Sequence, residues 1–224
     1  MSLLVAELQR QLGEGGINLI ASFPSAIYDA AGPPVGYSAN DLLPGAQSWI
    51  VVGSGGRRLW EAFQGWLSET PTRRLERELH PLDRYVARLL DTGDALFEEA
   101  GLDVRRFEPT IVFQPRIDFR HLAVLAGFGS SSPIGMVVHP EFGPWWALRG
   151  AWLVDAAIDP TSLAGQPCEG CPAPCRSVIA PGTEGTLAAA TRAAREACPI
   201  SAHRYTGEQL DYHYAPDASL LQRY

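Results

Sequence analysis

Hydrophobic residues recur along the chain at two spacings, one typical of helices and one typical of buried strands. Helical spacing predicts helices over residues 1–14, 57–67, 80–100 and 118–127, and Thr206 can cap a further short helix near the end of the chain. The second helix has the densest apolar face, with Leu59, Trp60, Phe63, Trp66 and Leu67.

Short apolar runs bounded by Gly and Pro predict the strands. These runs cover residues 17–21, 48–56, 108–116, 135–139 and 145–154, while residues 29–47 and 159–185 have the composition of loops. Strands and helices do not alternate regularly, so the sequence predicts an α+β fold in which a sheet is flanked by helices. Its 224 residues suit one domain, with a core over residues 1–157 and a Cys-rich segment and C-terminal cap over residues 158–224.

Charge and hydropathy exclude several classes of function. The formal net charge of −7 lacks the basic character expected of a nucleic-acid-binding protein. No apolar run is long enough to span a bilayer, and the N-terminal residues lack the basic start of a signal peptide. We therefore expect a cytoplasmic protein without a nucleic-acid or membrane partner.

One cation, Arg149, interrupts the apolar run at residues 145–154. Moving a lone arginine out of water is costly, so it requires an anionic partner. That partner is either a carboxylate of the protein or an anionic ligand, and the residues of this run alone favour the carboxylate.

Four cysteines form the second chemical signal. Cys168, Cys171 and Cys175 have the spacing C-x2-C-x3-C, and Cys198 follows downstream before a proline. In a reducing compartment such cysteines are metal ligands or free thiols before they are disulfides. Tight turns of Gly and Pro can direct several sulfurs to one point, so the residues favour a four-cysteine iron–sulfur or zinc site. Reduced thiols remain the alternative.

Four blocks of the sequence resemble the cobalamin-processing proteins of the CblC (MMACHC) type, which are related to epoxyqueuosine reductases and corrinoid reductive dehalogenases. The blocks are LLPGAQSWIVVGS at 42–54, HPLDRYVARLL at 80–90, IGMVVHPEFGPWWALRG at 134–150 and HRYTGEQLDYHY at 203–214. The third block is the most specific. The cysteine segment departs from animal CblC proteins, and epoxyqueuosine reductases carry ferredoxin-like cysteines near this place.

The resemblance implies a modified flavin nitroreductase fold and a cavity for cobalamin with its dimethylbenzimidazole base detached from cobalt. It places six residues at the cofactor: His121, Gly135, His139, Phe142, Trp145 and Trp146. It assigns Arg149 to a carboxylate of glutathione or another thiol, and more weakly Arg204. The cofactors it implies are cobalamin, a 4Fe-4S cluster or zinc on the four cysteines, and FMN or FAD.

Four functions are compatible with these patterns. The first is an enzyme that removes the upper axial ligand of cobalamin, by reductive decyanation or by thiol-dependent dealkylation. The second is a carrier that delivers cobalamin to a cobalamin-dependent acceptor enzyme. The third is a corrinoid and iron–sulfur reductase of another substrate, as in epoxyqueuosine reductase, and the fourth is a flavin protein without corrinoid. The cysteines favour the first and third, because a carrier needs no electron relay, and the small size weighs against the third.

Overall fold

The computed structural model describes residues 2–33, 36–69, 80–109, 117–161, 165–178, 187–214 and 221. Helices and antiparallel strands are mixed, as the α+β prediction requires. The helices are α1 (Ser2–Glu14), α2 (Ser25–Ala30), α3 (Ala39–Leu42), α4 (Arg58–Glu69), α5 (Pro81–Glu99), α6 (Phe119–Leu125), α7 (Cys175–Val178), α8 (Leu187–Glu196) and α9 (Glu208–Tyr214). The strands are β1 (Leu19–Pro24), β2 (Ser48–Gly55), β3 (Val104–Phe107), β4 (Ser130–Ser131), β5 (Val137–Val138) and β6 (Trp146–Val154).

Two antiparallel sheets are formed by the described strands. The larger has the order β1-β2-β6-β3, and the smaller is the hairpin of β4 and β5. Strand β2 lies between β1 and β6 and is buried over its whole length, which explains its continuous apolar run.

Helices cover both faces of the larger sheet. Ile50 and Val52 of β2 pack with the core that α1, α4 and α5 complete, whereas Trp49 and Val51 pack with the core beneath α2, α3 and α6. We call these the first and second core layers. The alternation follows from the period of two in a strand, and it places side chains of one strand on two sides of the sheet.

Three local predictions require correction. The expected loop at residues 29–47 contains α3, whose capping box links Ser38 to Asp41, and it overlaps the end of α2. The strand expected at residues 108–116 is not seen at its described positions, 108 and 109. The observed strand is β3 at Val104–Phe107, and residues 110–116 lie outside the described residues. The segment expected to be a loop at residues 159–185 contains the short helix α7, and α8 begins just beyond it.

The β4–β5 hairpin is held by a close backbone contact. Gly129 has φ of 146°, and a Cβ atom placed there would lie 1.9 Å from the carbonyl oxygen of Val138. Only glycine fits this position. No helix among the described residues is long and apolar enough to cross a membrane.

Candidate functional site

A β-bulge lies at the lone cation of β6. Val52 pairs with Gly150 and Gly53 pairs with Leu148, so Arg149 is the extra residue between two paired positions. Bulges of this kind redirect side chains and are common beside active sites. On the C-terminal side of the bulge Trp152 faces the first core layer, whereas Leu148 before it packs against the second.

Arg149 lines a cavity that we call the arginine cavity. It is small, with a volume of about 30 Å³. Its lining residues come from β2, α4, β6, α9 and adjoining loops: Ser54, Gly56, Leu59, Trp60, Leu82, Arg149, Tyr205, Gln209, Tyr212 and His213. Arg149 keeps the alternation of Trp146 and Leu148, which lie on the second-core side, and the bulge then places Gly150 on the same side of the sheet as Arg149.

Within the described part of the chain, no carboxylate forms an ion pair with Arg149. Its Nε donates a hydrogen bond to Ser54 Oγ at 2.8 Å. Burial lowers the pKa of Arg149 below its ordinary value, and the attraction of Tyr205 and Asp83 offsets this only in part. The carboxylate partner favoured by the residues of the strand is therefore not seen, and the alternative of an anionic ligand gains weight.

Two polar groups of α9 complete the arginine cavity. Gln209 is buried and donates from Nε2 to the carbonyl oxygen of Gly56 at 3.0 Å, while its Oε1 has no hydrogen-bond partner. The pKa of His213 is lowered to about 4 by burial of the ring nitrogen and by the nearby charges of Arg195 and Arg149. The imidazole is therefore neutral at physiological pH, although part of the residue is exposed.

A second cavity, the histidine cavity, brings together two residues that the sequence assigned to a cofactor. His121 and Gly135 both line it, with Asp118, Arg120, Val124, Ser131, Met136 and Val137, and its volume is about 290 Å³. Asp118 caps α6 by accepting from the backbone N–H groups of Arg120 and His121, which fixes the start of the helix. His121 Nε2 is buried without a hydrogen-bond partner, so it can bond to a ligand in this cavity.

The other four residues assigned to the cofactor serve mainly in packing. Trp146 donates from Nε1 to the carbonyl oxygen of Val137, and Phe142 lies against Gly55. Trp145 is fully buried, and His139 Nδ1 accepts from the backbone N–H groups of Glu141 and Phe142. None of the four lines the histidine cavity, and their contact with a cofactor stays a prediction.

All four cysteines line a third cavity, the thiol cavity, of about 30 Å³. Apolar and proline side chains form most of its remaining wall: Ser132, Pro133, Ile134, Val138, Pro144, Pro167, Ala173, Pro174, Pro199 and Ile200. The cysteines are free rather than disulfide-bonded. Cys198, although well downstream in the sequence, therefore lines the same cavity as the three closely spaced cysteines.

Hydrogen bonds to sulfur resemble those of thiolate metal sites. The N–H of Ala173 donates to Cys171 Sγ at 3.4 Å, and Ile200 N–H donates to Cys198. Ala173 adopts a positive φ of 51°, which only a constrained turn maintains in a residue with a side chain. Burial nevertheless raises the pKa of Cys198, and the other three cysteines raise it further. Cys198 therefore favours its neutral thiol until a cation is present.

The described residues contain no group of His, Cys, Asp and Glu side chains already close enough to hold a single metal ion. The four sulfurs surround a volume rather than a point. Their donor set and the N–H···S bonds fit a thiolate-bound group, and its binding stays a prediction.

One hairpin separates two of the cavities. Ser132, Pro133, Ile134 and Val138 face the thiol cavity, whereas Ser131, Gly135, Met136 and Val137 face the histidine cavity. The arginine cavity shares no lining residue with either.

Arg204, expected at the thiol carboxylate, does not line the arginine cavity. Its Nη2 donates to the carbonyl oxygen of Glu196 at 2.9 Å, and its guanidinium stacks near Trp145. Sequence reasoning missed Ser54, Gln209 and His213. Only the glycines on either side of the bulge, Gly53 and Gly150, gave a signal that could have located it.

Comparison with known proteins gives a likeness of fold. No family model matches the sequence, and no curated protein matches it. The C. elegans B12-trafficking protein CblC, a human MMACHC homologue, is 14% identical with a TM-score of 0.68, over 99% of this chain and 97% of that one. At these identities the likeness establishes a shared fold.

Epoxyqueuosine reductases have the same fold over a shorter part of their length. A selenomethionine-labelled crystal form is 16% identical with a TM-score of 0.54, over 78% of this chain and 51% of that one. A complex with an epoxyqueuosine-modified tRNA-Tyr stem loop is 15% identical with a TM-score of 0.53, over 76% and 50%. The chain thus spans about half the length of these reductases.

Proposed function

We propose that the protein binds cobalamin in the base-off state and removes its upper axial ligand. The observation that carries this proposal is the likeness to the B12-trafficking protein CblC over nearly the full length of both chains. The four sequence blocks that resemble this type of protein point the same way. The chain matches nearly the whole of CblC but only about half of each epoxyqueuosine reductase.

In this proposal the histidine cavity receives part of the corrinoid. His121 Nε2 lacks a partner, and Gly135 lines the same cavity without a side chain, so a polar edge of the ligand can approach. Binding the detached base offsets the loss of its bond to cobalt. Without that bond, cobalt is easier to reduce and its upper ligand leaves more readily.

The arginine cavity holds the carboxylate of the thiol, glutathione or another, in the dealkylation reaction. Arg149 supplies the charge, Ser54 holds its Nε, and Gln209 Oε1 can accept from an N–H of the same ligand. The thiolate attacks the alkyl carbon, a C–S bond forms, and the electron pair of the cobalt–carbon bond stays on cobalt, which becomes Co(I). In decyanation one electron from a reduced flavin, FMN or FAD, converts Co(III) to Co(II) and cyanide leaves.

We also propose that the thiol cavity holds a four-thiolate centre on Cys168, Cys171, Cys175 and Cys198, a 4Fe-4S cluster or zinc. A cluster there would supply one-electron chemistry. The convergence of the four cysteines on one cavity supports this, as do the N–H···S bonds. The same convergence is the observation that favours a second function, a corrinoid-dependent reductase of another substrate.

A visible absorption spectrum tests the proposal. The full chain is purified anaerobically and mixed with cyanocobalamin, and we expect the spectrum to change to the base-off form. No change would overturn every corrinoid function. Reduced flavin is then added to the mixture with cyanocobalamin. Glutathione is added to a separate mixture of the protein with methylcobalamin.

Release of cyanide and formation of S-methylglutathione support the enzyme. A base-off spectrum without either product leaves a carrier for an acceptor enzyme, or a reductase of another substrate. The chain is then loaded with iron and sulfide. An absorption band at roughly 400 nm would indicate a cluster and favour the reductase over the carrier.

A further inference from the structure

Arg195 of α8 connects two cavities that share no lining residue. It is buried, with 3% of its surface exposed, and among the described residues it has no carboxylate partner. Its Nη2 donates to the carbonyl oxygen of Pro144 at 2.7 Å, and Pro144 lines the thiol cavity. Its Nη1 lies 2.5 Å from Nε2 of His213, which lines the arginine cavity.

The backbone continues this connection to a cysteine. The N–H of Cys198 donates to the carbonyl oxygen of Arg195 at 3.2 Å, so the position of this cysteine and that of the arginine backbone depend on each other. The guanidinium is 4.6 Å from the Trp145 ring centre and 5.2 Å from that of Tyr205. Tyr205 is a second wall residue of the arginine cavity.

We infer that Arg195 couples the two sites, so that loading the thiol cavity with metal strengthens binding of an anion beside Arg149. This inference rests on the four-thiolate centre and the anion site of the proposed function. A bound metal fixes Cys198, and Cys198 fixes Arg195. The arginine in turn fixes His213 and Tyr205, which reduces the ordering cost that an anionic ligand pays on entering.

The coupling is reciprocal, because linkage requires each ligand to change the affinity of the other by the same factor. The geometry also sets a requirement on the side chain. A lysine retains the charge but cannot contact Pro144, His213 and the two aromatic rings with one planar group. Arg195→Lys therefore removes the set of contacts that links the two cavities, while it keeps the positive charge.

Calorimetric titration under nitrogen tests the inference. The full chain is prepared metal-free and loaded with iron and sulfide, and each form is titrated with S-methylglutathione, whose blocked sulfur cannot bind the metal. We expect the loaded form to bind about fivefold to twentyfold more tightly, in the lower part of the usual range for coupled sites. In Arg195→Lys the difference should fall below about twofold on the same scale.

Arg192→Gln is the matched control, since Arg192 lies one turn earlier on the same helix and its side chain is 44% exposed. Arg192→Gln should keep the full difference in S-methylglutathione affinity between its loaded and metal-free forms. Equal affinities of the two wild-type forms, or an undiminished difference in Arg195→Lys, would overturn the inference.

Hydrogen exchange of α9 provides a readout that needs no anion. This helix contributes no residue to the thiol cavity, yet its amides should exchange several-fold more slowly in the loaded wild type and not in loaded Arg195→Lys. If S-methylglutathione binds neither form, the anion site fails and exchange alone decides the coupling. Unchanged exchange overturns the coupling, and a chain that takes up no metal overturns both the centre and the coupling.

Discussion

Replacement of Arg149 by methionine should separate ligand binding from stability. The folded protein loses one hydrogen bond to Ser54 Oγ, worth about 1 kcal/mol. It also no longer carries a desolvated cation without a carboxylate partner among the described residues, which relieves a penalty of order several kcal/mol. We therefore expect the free energy of unfolding of Arg149→Met to be equal to or greater than that of the wild type.

Binding should change in the opposite direction. A hydrogen bond to a charged group contributes about 1.5–3 kcal/mol. Loss of the Arg149 contact to a carboxylate should therefore weaken S-methylglutathione binding by about 10-fold to 150-fold. Corrinoid binding, measured from the base-off spectrum, should be unchanged, because Arg149 does not line the histidine cavity.

Arg106 of β3 is the matched control, because it is a half-buried arginine with carboxylate partners. It contacts Asp91 at 2.9 Å, Asp94 at 2.6 Å and Glu108 at 3.0 Å. Arg106→Met leaves the buried Glu108 without its cation and should cost about 3 kcal/mol of stability. Burial already raises the pKa of Glu108, so this cost should be larger at alkaline than at acidic pH.

Urea unfolding and calorimetric titration give the two quantities for both variants. A fall in the stability of Arg149→Met as large as that of Arg106→Met would refute the reasoning, because it would mean that the protein itself supplies a counter-charge. Loss of corrinoid binding in Arg149→Met would move the arginine from the thiol to the corrinoid.

Three further predictions follow from the cavities and the hairpin. Cys198→Ser should abolish uptake of iron and sulfide, measured by absorption and iron analysis, whereas Ser177→Ala should load like the wild type; full loading of Cys198→Ser would exclude it as a ligand. Gly129→Ala should lower stability by about 3 kcal/mol or more in urea unfolding, through backbone strain and a clash. Gly36→Ala, with a positive φ but open space, should cost less, and equal costs would contradict the clash. The pKa of His213 is about 4 in the folded protein, below its ordinary value of 6.5. The contribution of His213 to stability should therefore be lost as the pH falls from about 6.5 to about 4. An NMR titration of the folded protein that gives an ordinary pKa for His213 would contradict this.

Much of the fold could be predicted because its main elements carry strong periodic signals. Strand β2 is a continuous apolar run, and α4 and α5 each have an apolar face, so these elements appear near their predicted positions. Strand β3 was missed, since Val104–Phe107 contains two arginines and is only partly buried. Composition gave no signal for the pairing order of the strands.

The arginine cavity could not be predicted from periodicity, because its walls come from segments far apart in the chain. A single bulge exchanges the faces of a strand, and hydrophobic alternation does not reveal it within a run as apolar as β6. The convergence of Cys198 with the other cysteines is likewise a tertiary fact, since α8 separates it from them in the chain. His121 and Gly135 were placed together by resemblance to a family, not by any property of their own segments.

The distribution of unpaired positive charge argues for an anionic ligand more strongly than the fold does. Within the described residues Arg149, Arg195 and Arg204 lack carboxylate partners, in a chain whose net charge is −7. Tyr205 lies beside the first two of them, and Trp145 stacks with the last two. Because acidic side chains are plentiful, leaving these cations unpaired has a cost that a bound anion would offset. An anion that binds there should accordingly raise the melting temperature in proportion to the logarithm of its concentration, and it should lose that effect in Arg149→Met.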